Sequence, residues 1–201
     1  MHRALELLTS LRARRWIAAA ALAAVAVALL LRPEYSMPPG PYRLLDPAAY
    51  DRIARELLDS GRYAEQLPHA PLYRAWRPPG YPVFLALCYS LGNPEPDVVI
   101  AAQRVLLALL AAICGAGYWI AARSGLGAVV VTGLVGSIPG LRFRAELPFS
   151  ETLFTFLLYG GLASIALGAE RRSRRWLGAG GILLGVATLT RAPLLHAIAL
   201  G

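Results

Sequence analysis

The chain reads as all-α: a polytopic transmembrane helix bundle of about five spans, with interfacial helices in its first outer loop. Three observations predict this. Of its 201 residues, 57% are hydrophobic and only 16% charged, the balance of a membrane protein rather than a soluble domain. The apolar residues fall in runs of about the 20 residues that a helix needs to cross the hydrocarbon layer. The arginines flank those runs and supply the whole basic excess of +8, since the sequence contains no lysine. Cations placed in that way are topology signals, and the nucleic-acid reading of a basic chain gives way to them.

The runs are 16–31, 98–122, 126–141, 149–169 and 176–200. Arg12, Arg14 and Arg15 before the first run imitate a secretory signal. However, Arg32-Pro33-Glu34-Tyr35 follows it in place of a small-residue cleavage site, so it reads as an uncleaved span. If the spans alternate, Arg12, Arg14, Arg15, Arg123, Arg171, Arg172, Arg174 and Arg175 share one side, which the positive-inside rule makes cytoplasmic, with the N-terminus. The loop 32–97 and the short loop 142–148 then face outward, and Arg142 and Arg144 run against the rule. The last run is still apolar at Gly201, so 1–201 reads as a single, incomplete membrane domain.

Within the outer loop, 47–60 predicts a helix, with Asp46 as cap, Pro47 in its first turn and Gly61 as its stop. Tyr50, Ile53, Ala54, Leu57 and Leu58 form an apolar stripe for lying on the membrane surface. Asp51 with Arg55, and Arg52 with Glu56, have pairing distance along the helix. Residues 82–91 predict a second apolar helix, too short to span and ended by Gly92-Asn93-Pro94. Gly181 and Gly185 match a small-residue helix-packing pattern.

Few residues carry chemistry. Asp46 is a helix cap or a general base held rigidly by its capping position; Tyr50, one turn on, reads as packing before ligand. Arg77, before Pro78 and Pro79, is an interfacial cation or a fixed partner for a phosphate. Gly80 permits close approach, and Tyr81 suits an anchor at headgroup depth. Glu146 and Glu151 flank the start of the fourth span; Glu151 either complements the helix dipole, with Ser150 as cap, or binds a cation or acceptor. Arg191, deep in the last run, needs water or a partner such as a loop acid or a lipid phosphate. Cys88 and Cys114 lie in apolar runs, and His69 and His196 are isolated, so no metal site is read from spacing. The sequence has no phosphate-binding GxxxxGK[ST] loop, no GxSxG elbow and no HExxH.

Leu45-Asp46-Pro47-Ala48-Ala49-Tyr50, followed by Ile53-Ala54-Arg55-Glu56-Leu57-Leu58, resembles the first outer loop of GT-C superfamily glycosyltransferases. The nearest groups are protein O-mannosyltransferases, aminoarabinose transferases and lipopolysaccharide-core glycosyltransferases. Arg77-Pro78-Pro79-Gly80-Tyr81-Pro82 looks like the motif ending that loop, Ser150-Glu151-Thr152-Leu153-Phe154 like the start of their fourth span, and Gly185 to Arg191 like part of the fifth.

The resemblance implies transfer of a sugar from a polyprenyl-phosphate donor to a glycan, lipid or protein acceptor, at the extracytoplasmic face of a bacterial inner (plasma) membrane. Asp46 and Glu151 would be catalytic. Arg77, Tyr81, Tyr50, Glu146 and Arg191 would contact substrate, among membrane lipids and with no nucleic acid. The chain departs from the family where Pro47 replaces a second acid and where Trp76 stands in place of a metal-binding glutamate. No cofactor is required by these residues, and a divalent cation remains compatible with them. The alternatives are a non-catalytic protein that binds or transports polyprenyl lipids, and an inactive fragment of a longer glycosyltransferase.

Overall fold

The computed structural model describes residues 46–65, 73–74, 77–92 and 95–191. They form seven helices and one two-stranded ladder, and the protein is mostly helical. The span expected at 16–31 lies outside the described residues.

Helix α1 (Asp46–Ser60) takes in Asp46 as its first residue and stops at Gly61. There a φ of +70° lets the glycine N–H return to the Leu57 carbonyl at 3.1 Å. Tyr50, Ile53 and Ala54 are buried as the stripe predicts, but Leu58 is 43% exposed and falls outside it. Of the two predicted ion pairs, Asp51–Arg55 forms at 3.0 Å. Arg52 instead turns to Glu65, while Glu56 takes Arg62 at 2.8 Å and the Ser60 hydroxyl at 2.6 Å. The reason is burial. Glu65 sits on β1 (Ala64–Glu65), which folds back on α1 and leaves that carboxylate 1% exposed, where it needs a cation more than a solvated glutamate does. β1 pairs antiparallel with β2 (Tyr73–Arg74), joining Ala64 to Arg74 and Glu65 to Tyr73.

Helix α2 (Gly80–Leu91) begins two residues before its predicted start and has 12 residues, or about 18 Å, too little to span. Tyr81, Leu85, Cys88 and Tyr89 share its buried face and meet Tyr50 and Ala54 of α1 in one apolar cluster.

Among the described residues, two helices are long and apolar enough to cross a membrane: α3 (Pro96–Ala122) and α6 (Ser150–Glu170). The run expected at 126–141 is a bent pair, α4 (Gly125–Ser137) and α5 (Pro139–Ala145), turning by 58° around Ile138. Pro139 lacks the N–H that would continue the ladder, so α5 restarts at its own first turn. Taken as one span, the pair would bring the crossing helices to three. Helix α7 (Arg174–Thr190) covers the described part of the fifth run.

Helices α6 and α7 lie antiparallel and close, but not through Gly181 and Gly185, whose added methyls would meet nothing. Gly161, Gly168 and Gly180 make the approach: a Cβ on Gly161 would lie 3.2 Å from the Gly180 carbonyl, and one on Gly168 2.8 Å from Leu177. Packing selected the glycines that face the partner helix, and a four-residue spacing alone does not say which way they face.

Candidate functional site

The N-terminus of α2 abuts the C-terminus of α7. A methyl on Gly80 would stand 2.7 Å from the Thr190 hydroxyl oxygen and 2.9 Å from the Leu189 carbonyl, so only glycine fits. This contact brings the end of the outer loop, with Arg77, to the helix end that carries Arg191.

Arg77 lies with its guanidinium carbon 5.5 Å from the centre of the Tyr50 ring, a cation–π seat. Its carbonyl accepts the Tyr63 hydroxyl at 2.9 Å. Tyr50 in turn meets Tyr81 edge-on, with ring centres 5.1 Å apart. The loop cation is thus held by two aromatic layers. Asp46 opens the same helix one turn before Tyr50; its side chain lies outside the described residues.

Tyr81 lies beneath this arrangement rather than within it. It is 0% exposed, and its hydroxyl donates to Gln103 Oε1 at 2.8 Å, so it offers a ligand no surface and does not anchor at headgroup depth. Its pKa is pushed well above the ordinary phenol value, first by burial and then by neighbours that include the Glu151 carboxylate. That electrostatic reach links the outer loop to the start of α6.

Gln103 ties the layers together. Its amide nitrogen donates to the carbonyls of Ala145 at 3.2 Å and Leu147 at 2.5 Å, fixing the turn between α5 and α6. Beside it, Arg104 holds Glu146 through contacts of 3.2 and 2.5 Å. Glu146 is therefore neutralised against α3, and the two acids expected to act together are separated in function. Glu151 does stand at the mouth, in the first turn of α6, paired with Arg144 of α5 and with Arg191 Nη1 at 3.3 Å. Ser150 is the first buried residue of α6 and makes no cap, that place being taken by Phe149.

No family model, no curated protein and no solved structure matches the chain. The site therefore rests on its own geometry. Arg144 and Arg191 set two positive groups against the one carboxylate of Glu151, with Arg77 on the adjoining loop end, while Arg104 and Glu146 cancel. Such an end favours an anion with several acceptor oxygens.

A divalent cation fits less well. Among the described residues no three His, Cys, Asp or Glu side chains cluster, and the best-placed acid already carries two guanidinium groups.

Sequence reasoning missed Gln103 and Arg104, and treated Arg144 only as an exception to the charge rule. The signal was present: an amide and a cation side by side in an otherwise apolar span demand partners.

Proposed function

We propose that the chain is a membrane glycosyltransferase that moves a sugar from a polyprenyl-phosphate donor to an acceptor at the outer face of a bacterial plasma membrane. The single observation that carries this reading is the gathering of Arg77 and the Arg144–Glu151–Arg191 group at one end of the bundle, a seat for phosphate. The resemblance of the loop motifs adds the sugar.

Depth supports it too. Gln103 and Leu147 are in contact, and the arginine-bearing turn at Arg123 lies 20 residues further along α3. At 1.5 Å per residue the site and that turn stand about 30 Å apart, the thickness of the hydrocarbon layer.

In the reaction, the acceptor oxygen attacks the anomeric carbon and the bond from that carbon to the phosphate oxygen breaks, its electron pair leaving with the phosphate. Asp46 takes the acceptor proton. Arg77 and Arg191 stabilise the charge gathering on the departing polyprenyl phosphate. Glu151 holds Arg144 and Arg191 in place, and its remaining oxygen is available to orient an acceptor hydroxyl. A phosphate leaves without a strong general acid, which agrees with a site rich in cations. The direct displacement inverts the anomeric configuration.

Asp46→Asn tests the reading. With radiolabelled polyprenyl-phosphate sugars, transfer should fall by about 10²–10⁴-fold while membrane insertion stays intact. Retained transfer would remove Asp46 from the role of base. Donor binding with no transfer by the unaltered chain would instead favour a lipid-binding protein.

A further inference from the structure

The opposite end of the bundle carries a different feature. Among the described residues, only two that are not glycine have a positive φ, and both are arginines: Arg123 at 54° and Arg172 at 50°. Each sits in a helix–helix turn, Arg123 between α3 and α4 and Arg172 between α6 and α7. Both turns lie at the end of the bundle away from the contact between Gln103 and Leu147. Arg123 follows the last turn of α3, 20 residues or about 30 Å beyond Gln103. Arg172 follows the end of α6, which starts at Ser150 and runs 21 residues, about 32 Å.

The left-handed conformation strains any residue with a Cβ, and glycine adopts it freely. Two turns have therefore kept a guanidinium where the backbone alone would favour glycine. A topology signal does not require this, since an arginine anywhere beside the span would serve.

Arg171, Arg174 and Arg175 join them, all exposed, and among the described residues the only acid in these two turns is Glu170. Among the described residues, five positive charges stand against one negative at the two turns, and none of the five makes an ion pair. Tyr118 in the last turns of α3 and Trp176 in the first turn of α7 are 42% and 40% exposed, flanking the charges as headgroup-depth aromatics do. Ser173, ahead of α7, makes no side-chain cap, so N–H groups of that first turn also face this end.

We propose that this end is a docking surface for anionic phospholipid headgroups, with Arg123 and Arg172 placed to reach their phosphates. The inference requires only that the chain crosses a bilayer; it is independent of sugar transfer.

The test uses the full chain in nanodiscs of phosphatidylcholine, with or without phosphatidylglycerol. Lipid retained on the protein is counted by native mass spectrometry, and the melting temperature is followed. The unaltered chain should retain phosphatidylglycerol in preference to phosphatidylcholine and melt higher when it is present. Each arginine removed should weaken that retention about fivefold at low salt.

The informative variant is Arg123→Gly with Arg172→Gly. It relieves strain, so in phosphatidylcholine it should melt at or above the unaltered chain, yet lose most of its response to phosphatidylglycerol. Arg174→Gln with Arg175→Gln, inside the helix, should lose retention without that gain. Equal retention of the two lipids by the unaltered chain, or an undiminished preference in the double glycine variant, would overturn the proposal and leave the arginines a role in insertion alone.

Discussion

The Tyr81 hydroxyl donates to Gln103 Oε1 at 2.8 Å, and through that single amide the outer loop is joined to the turn between α5 and α6. Tyr81 and Gln103 are both 0% exposed, so neither has water to fall back on. Gln103→Leu would keep the volume and strand the Tyr81 hydroxyl together with the Ala145 and Leu147 carbonyls. Each of the three stranded groups costs about 1–3 kcal/mol, and a total loss of at least about 3 kcal/mol is expected, read as a fall in thermal or denaturant midpoint in detergent. Tyr81→Phe removes one bond and should cost less, about 1–2 kcal/mol.

The ion-pair group at the mouth predicts a different pattern. Arg191 and Glu151 are 38% and 19% exposed, so solvent screens them, and a double-mutant cycle should give a coupling of only about 0.5–1 kcal/mol. Glu151→Gln has a larger consequence, because it takes from Arg144 and Arg191 the carboxylate that they share. Stability should fall by about 1–2 kcal/mol in a buffer without multivalent anions. Inorganic phosphate should restore it, raising the melting temperature of the variant more than that of the unaltered chain. Equal responses of the two proteins would remove phosphate from the role of replacement anion.

Much of the scaffold is legible from local pattern. The 47–60 stripe gives α1, Gly61 its stop and the Asp51–Arg55 spacing its ion pair, because each depends on residues within one or two turns. What fails depends on distant partners. Arg52 prefers Glu65 once β1 brings that acid back and buries it, and no spacing within the helix announces the return. Tyr81 reads as an interfacial anchor until α3 supplies Gln103. At the site, Arg77, Glu151 and Arg191 stand out as isolated charges in apolar surroundings. Their grouping depends instead on the contact between Gly80 and Thr190, which a sequence leaves silent.

Glycine positions separate close approach from mere composition. Gly80→Ala would drive a methyl to 2.7 Å from the Thr190 hydroxyl oxygen and 2.9 Å from the Leu189 backbone, which cannot rotate away. A loss of about 1–3 kcal/mol is expected. If the proposed chemistry holds, transfer falls with it as Arg77 and Arg191 move apart. Gly181→Ala sits in the interior of α7 with nothing within 4 Å. It should be neutral or stabilising by up to about 1 kcal/mol, since alanine loses less chain entropy in a helix. Paired unfolding curves check both, and similar losses at the two sites would contradict the packing described.

Tyr63 offers a titration outside the spanning helices. Its phenol donates to the Arg77 carbonyl, and its pKa is pushed up to about 12, first by burial, then by the nearby Tyr50 phenol, with the Arg77 charge opposing. A raised value means that the folded protein holds this proton more tightly than the unfolded chain. The linked stability is therefore complete below the ordinary phenol value near 10 and drains away as the pH climbs towards 12. Phenolate absorbance, taken as the difference between the unaltered chain and Tyr63→Phe, should show this group ionising well above an unburied phenol. Tyr63→Phe should also flatten the alkaline loss of stability. A difference titration centred near 10 would mean that the loop does not fold over Tyr63, and the support beneath Arg77 would be lost with it.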